Sequence, residues 1–205
     1  MNIVNDLRDT LRPKGGRGEV KRTRDVQQIV GITLHQTATA DFRPTHPGLA
    51  KVPAHALVHR DGSVSLLHRI TSIVYHGNTL NSGTIGIEVA CRAAGTEGDM
   101  RTFWRSNAER VAGTPAEQLL RESTDEQLVA LDELVRFYLD EVAGMGGKVR
   151  GLWAHRQGHQ SRTSDPGSRI WSVAERVRRD CGLADVRDQV LGTGKPIPKE
   201  WRTEP

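Results

Sequence analysis

Eight histidines stand in this 205-residue chain, at positions 35, 46, 55, 59, 68, 76, 155 and 159. A histidine is more often a hydrogen-bonded core or surface residue than a ligand, so position has to single out the useful ones. His35 closes the run IVGITLH and His155 follows GLWA. Each thus sits at the C-terminal end of what reads as a buried strand, where α/β sheets place their ligand sites. Asp165 follows ten residues after His155, held by a Pro166-Gly167 turn inside HRQGHQSRTSDPGS, residues 155–168. Two imidazoles and one carboxylate, with a fourth position left to water, are the ligand set of a hydrolytic zinc site. The same spacing also suits a solvated loop in which Asp165 opens a turn, and spacing alone leaves both readings open. No HExxH is present. A thermolysin-like helical site is therefore excluded, and any metal site must be assembled from separate strands.

The elements that would carry these groups follow from periodicity. In IVGITLH, Val30, Ile32 and Leu34 share one face and Ile29, Thr33 and His35 the other, the pattern of a largely buried strand. Asp61-Gly62 lies between two β-rich runs, which predicts a type I′ hairpin pairing residues 55–60 with 63–70, with His55, Leu57 and His59 on one face. TIGIEVA, residues 84–90, repeats the strand pattern. Ile85, Ile87 and Val89 share one face, while Gly86, Glu88 and Ala90 share the other. Thr124 and Gln127 form a capping box ahead of Leu128, Leu131, Val135, Leu139 and Val142 at helical spacing, ended by Gly144, Gly146 and Gly147. A strand is expected at about 149–154. After the loop, a helix capped by Ser168 follows, with Ile170, Val173, Ala174, Val177 and Cys181 on one side. Residues 92–122 read as an insertion with no assignable element. The tail GTGKPIPKEW is expected to be extended, with Trp201 as an anchor on the body.

Composition excludes several classes. No apolar run approaches the roughly 18–20 residues of a membrane span. The first sixteen residues are broken by Asp6, Arg8 and Asp9 and lack the apolar core of a secretory signal, so synthesis in the cytoplasm without a signal peptide is expected. Cys91 and Cys181 form no CxxC or disulfide framework and read as ordinary thiols. The net charge of +4 concentrates in Lys14, Arg17, Lys21, Arg22 and Arg24, but aromatics are only 4% and no docking motif accompanies them. Nucleic acid is therefore not the expected partner.

Five stretches occur together and in order: GITLHQT (31–37), AHALVHRDGSV (54–64), YHGN (75–78), TIGIEVA (84–90) and AHRQGHQSRTSDPGS (154–168). In this the chain resembles the type 2 N-acetylmuramoyl-L-alanine amidases, a family that includes phage lysozyme-type amidases and animal peptidoglycan recognition proteins. The resemblance runs over roughly residues 28–181. It implies that His35, His155 and Asp165 are zinc ligands and that Glu88, in the family's IGIE strand, is the catalytic base. It further places His76 of YHGN near substrate, with Asn78 and Arg162 expected to contact it too, although the family's tryptophan before that histidine is Tyr75 here. Phage members carry a tyrosine where this chain has Ala54, which favours Glu88 as the base. Many members also place a lysine where Thr163 stands, beside Arg162. Thr163 is thus the expected catalytic partner at that position, as it is in catalytic animal members.

The resemblance implies an α/β fold, a central mixed sheet of about five strands flanked by the 124–144 and 168–181 helices. Residues 1–27 would be an N-terminal extension, 28–182 the zinc amidase domain and 183–205 a tail packed on or trailing from it. Bound zinc (Zn2+) would lower the pKa of a water from about 16 to about 7. Glu88 would take that water's proton and pass it to the leaving amine. Thr163, Arg162 or His76 would hydrogen-bond the developing oxyanion. The implied activity is hydrolysis of the amide between N-acetylmuramic acid and L-alanine in peptidoglycan or muropeptides, by a monomer. It would act on the cell wall after release by a holin or a secretion machine, or on recycled fragments in the cytoplasm. The alternative is a peptidoglycan-binding module that keeps the groove without catalysis. His46 and His159 are read as loop residues, and His55, His59 and His68 as strand residues supporting the site.

Overall fold

A computed structural model of the chain describes residues 1–10, 22–38, 43–93 and 105–202. Its centre is a mixed six-stranded sheet. The strands are β1 (Ile3–Asp6), β2 (Gly31–Gln36), β3 (Ala56–Val58), β4 (Val64–Leu66), β5 (Thr84–Val89) and β6 (Gly151–Ala154), in the spatial order β1-β4-β3-β5-β2-β6. Only β3 and β4 pair antiparallel; every other neighbouring pair is parallel. The sixth strand is β1, a four-residue edge strand from the segment expected to be an extension. With Ile3 and Val4 each 42% exposed, it carries little of the apolar alternation that marks the others.

The expected hairpin joins β3 to β4, but its turn is of another kind. Gly62 N–H donates to His59 O and His59 N–H to Ser63 O, and Gly62 alone takes the left-handed conformation at φ 78°. Asp61 accepts from Ser63 N–H at 3.0 Å through its side chain, an alternative to the positive φ that a type I′ turn would impose on it.

Two longer helices cover one face of the sheet. Helix α3 (Asp125–Gly144) begins at the expected capping box, with Thr124 Oγ accepting from Gln127 N–H and Gln127 Oε1 from Thr124 N–H. Gln127 Nε2 also donates to Ala90 O at the end of β5, so the cap ties helix to sheet. Helix α4 (Ser168–Asp180) is capped by Gly167, not Ser168; the sharp Pro-Gly bend leaves Ser168 already in the first turn. The described residues of the insertion include two short helices, α1 (Asn107–Val111) and α2 (Ala116–Leu119). Lys14, Arg17 and Lys21 lie outside the described residues.

Ile32, Leu34, Ile85, Ile87, Leu152 and Ala154 pack with Leu131, Val135, Tyr138, Ile170, Val173 and Val177 into one core. Each such aliphatic side chain contributes about 1.5–3 kcal/mol through burial. Trp201 is 4% exposed and joins the same core, so the tail is anchored as expected. Cys91 and Cys181 are free thiols, the first buried and the second exposed.

Candidate metal centre and its cleft

The parallel strands β3, β5, β2 and β6 end on one side, and the chemistry collects there. β2 lies between β5 and β6, with His35 directly opposite Glu88. His155 opens a single turn, His155–Gln157, immediately after β6. The following loop folds back so that Arg156 N–H donates to Asp165 O at 3.1 Å, which returns Asp165 to the strand ends.

His35 Nδ1 lies 2.9 Å from His155 Nδ1, which lies 2.9 Å from Asp165 Oδ2. One donor atom from each residue falls within 4.8 Å of the others, and all three residues are buried. Burial, and then the neighbouring His155 and His76, hold His35 well below the usual imidazole pKa, so it is a neutral nitrogen donor. Two imidazoles and a carboxylate at this spacing suit a zinc ion. Among the described residues this is the one cluster of its kind.

The cluster opens into a cleft of about 440 Å³ lined by, among others, Gln36, Tyr75, Glu88, Arg162 and Ser164. Glu88 Oε2 is buried without a hydrogen-bond partner. Burial, followed by the nearby Asp165 carboxylate, pushes its pKa well above the usual carboxylate range. A carboxyl so placed in a cleft has the character of a general acid/base. The structure thus brings His35, His155, Asp165, Glu88, His76, Asn78 and Arg162 to one cleft. Thr163 is not among the lining residues; its carbonyl accepts from Arg156 Nη1.

The remaining histidines have other occupations. His159 Nδ1 pairs with Ser161 Oγ at 2.7 Å, and His46 Nδ1 accepts from Gly48 N–H at 2.9 Å. His55 Nδ1 accepts from Gly86 N–H while its Nε2 meets Ser72 O at 3.0 Å. His59 Nε2 pairs with Ser65 Oγ at 2.7 Å, and His68 is 2% exposed.

Supporting residues that periodicity does not mark also emerge. Gln36 N–H donates to Asp165 Oδ1 at 3.0 Å and its side chain to Ser164 O at 2.7 Å, fixing the carboxylate from the end of β2. Gln157, fully buried, donates to Val186 O and Gln189 O of the tail. Leu191 N–H and Lys195 N–H in turn donate to Gln157 O and Arg156 O, and the Arg156 guanidinium lies 5.0 Å from the Trp201 ring centroid. The tail therefore backs the turn that carries His155. The available signal is adjacency: Gln36 follows one ligand directly, and Gln157 lies two residues beyond another.

A family model described as N-acetylmuramoyl-L-alanine amidase matches residues 25–168, a span that includes all three donors and Glu88. The chain belongs to that family. Solved structures share the amidase fold at low identity. The N-acetylmuramoyl-L-alanine amidase LysC from Clostridium intestinale URNW superposes with a TM-score of 0.55 at 14% identity, covering 90% of this chain and 99% of its own. The Ph2119 endolysin from the Thermus scotoductus MAT2119 bacteriophage Ph2119 gives 0.53 at 20% identity, covering 84% and 98%. Drosophila peptidoglycan recognition protein SD gives 0.52 at 16% identity, covering 88% and 94%. Comparison with curated proteins gives no match. The amidase match ends at residue 168, so the tail that backs His155 lies beyond it.

Proposed function

We propose that the protein is a zinc-dependent amidase that hydrolyses the bond between N-acetylmuramic acid and L-alanine in peptidoglycan or muropeptides. The observation that carries this reading is the buried His35–His155–Asp165 cluster opening into a cleft beside an unpartnered Glu88. When bound there, zinc would supply Lewis acidity, polarising a carbonyl and acidifying water near neutral pH. Glu88 takes the proton of the attacking water as its oxygen bonds the amide carbon. It then delivers that proton to the nitrogen as the C–N bond breaks. The Arg162 guanidinium, in the cleft wall, is the cationic donor for the oxyanion, a role that the position of Thr163 does not favour.

The second reading, a peptidoglycan-binding module, draws on Thr163 standing where many members of the family place a lysine. Metal analysis together with mass spectrometry of digested peptidoglycan decides between them. The expected result is about one zinc per chain and stem peptides released with a free L-alanine amine, abolished by chelation and restored by zinc. Equal activity in metal-free protein would overturn the zinc reading, and binding without hydrolysis by the zinc-loaded protein would establish the module. Among the described residues no helix is long and apolar enough to cross a membrane. Intact sacculi and soluble muropeptides, assayed side by side, test whether the protein acts on the wall after release or on recycled fragments.

A further inference from the structure

We infer that His76 and Asn78 are positioning residues that hold both ligand imidazoles in the tautomer whose Nδ1 lone pair faces Asp165. This rests on the zinc reading above and adds a positioning role to residues expected to contact substrate.

The direction of each proton can be followed from a group that cannot donate. His76 Nε2 lies 3.2 Å from the Thr84 carbonyl oxygen, which only accepts, so Nε2 carries the hydrogen and Nδ1 of the neutral ring is an acceptor. That Nδ1 lies 3.0 Å from His35 Nε2, which must therefore donate. His35 is left with an unprotonated Nδ1 on the side of His155. His155 Nε2 meets Asn78 Oδ1 at 3.1 Å while its Nδ1 meets Asp165 Oδ2 at 2.9 Å, so both nitrogens face acceptors; a cation taking the place of hydrogen at Nδ1 leaves the ring proton to Asn78. With a cation bound, the two Nδ1 lone pairs and Asp165 Oδ2 would converge with no hydrogen among them.

The local sequence is built for this contact. A Cβ on Gly86 would stand 2.4 Å from His76 Cγ, so the site-facing position of β5 has to be empty for the ring to lie over it. Gly77 N–H donates to Asn81 Oδ1 at 2.6 Å, closing the loop tightly after His76. Asn78 takes φ 58°, a conformation that asparagine tolerates better than most side chains, and from it reaches His155. His76 is 5% exposed with both ring nitrogens engaged, which leaves it no polar atom for a substrate.

The test uses the full chain and three variants. His76→Phe keeps a ring over Gly86 without an acceptor. Asn78→Gly suits the positive φ without an acceptor, and Asn78→Asp restores one. Zinc affinity is read by competition with a chromophoric chelator, and the ligand field from the absorption of the cobalt-substituted protein. His76→Phe and Asn78→Gly are each expected to weaken zinc by roughly 10–100-fold with altered cobalt bands, and Asn78→Asp to bind close to wild type. Long-range proton–nitrogen NMR should show His35 protonated at Nε2 in the metal-free wild type, and both ligands protonated at Nε2 in the zinc-loaded one. Wild-type zinc affinity in folded Asn78→Gly, with only KM raised, would leave the loop with a substrate role alone and overturn the inference, as would Nδ1 protonation of metal-free His35. Wild type that binds no zinc would instead defeat the functional reading, and the NMR tautomers would still judge the positioning. Should His76→Phe fail to fold, the Asn78 pair and the NMR measurement decide.

Discussion

The two faces of the sheet are made by alternate residues of the same strands, yet they follow different rules. Towards α3 and α4, β2 and β5 present Ile32, Leu34, Ile85 and Ile87, each fully buried and held by non-directional packing. Away from the helices, the same two strands present Thr33, His35, Gly86 and Glu88, where every polar atom needs a matched partner. Thr33 Oγ1 finds Thr84 Oγ1 at 2.7 Å and His35 finds His76 and His155, whereas Glu88 Oε2 finds none. The apolar face stabilises by amount, and the polar face functions by arrangement. The first offsets what the second costs.

The sharpest break is on the polar face. His155→Ala and Asp165→Ala should each lose zinc and activity outright while staying folded, because one of three donors goes. His159→Ala should keep both, since its ring pairs with Ser161 away from the cluster. Metal analysis of the three purified variants checks this, and a depleted His159→Ala beside a loaded His155→Ala would reverse the assignment.

The neighbours Ile87 and Glu88 then separate the faces within two residues. Glu88→Gln should keep zinc and substrate binding while the rate falls by roughly 10²–10⁴-fold. It should also raise the denaturation midpoint of metal-free protein at neutral pH. A folded pKa raised above the usual 4.5 gives stability that is present below that value and lost as pH rises through the folded one. Ile87→Ala should do the reverse, costing about 2–5 kcal/mol of stability with little effect on the chemistry of the molecules that remain folded. Denaturant titrations and rates on the same samples make the comparison.

The smallest effect per residue is in pH. His35, His55 and His76 are held below the free imidazole value of 6.5, chiefly by burial, with His76 lowered to about 3. As pH falls below about 6.5 the unfolded chain binds protons that the folded chain refuses. The stability these groups leave intact above that value is therefore lost progressively towards pH 3. Between pH 7.5 and 5.5 the loss should be about 1.4 kcal/mol for each histidine that stays neutral when folded. Urea titrations of metal-free Glu88→Gln at the two pH values measure it free of the opposing Glu88 contribution, and unchanged midpoints would mean that the folded rings take up protons as the unfolded ones do.

Long, strongly periodic elements were the legible ones. The parity of TIGIEVA, the Thr124 cap and the strand ahead of His155 all follow from side-chain spacing, which the backbone obeys directly. Strand β1 was not legible, because four half-exposed edge residues carry no alternation strong enough to read. The Asp61-Gly62 turn was legible as a hairpin but not in type, since an aspartate side chain can support either backbone. The donor triad could be proposed from strand ends and the family pattern. The work of His76 and Asn78 could not, because spacing says which residues meet but not which ring nitrogen faces which partner.

The tail alters the order in which the site can be completed. The donors and Glu88 all precede residue 168, but Val186, Gln189, Leu191, Lys195 and Trp201 supply the contacts that brace the His155 turn. A chain emerging from the ribosome therefore carries every chemical group of the centre before it carries the brace that fixes one of them. Residues 186–201 thus act as a finishing step for a turn laid down earlier in the chain.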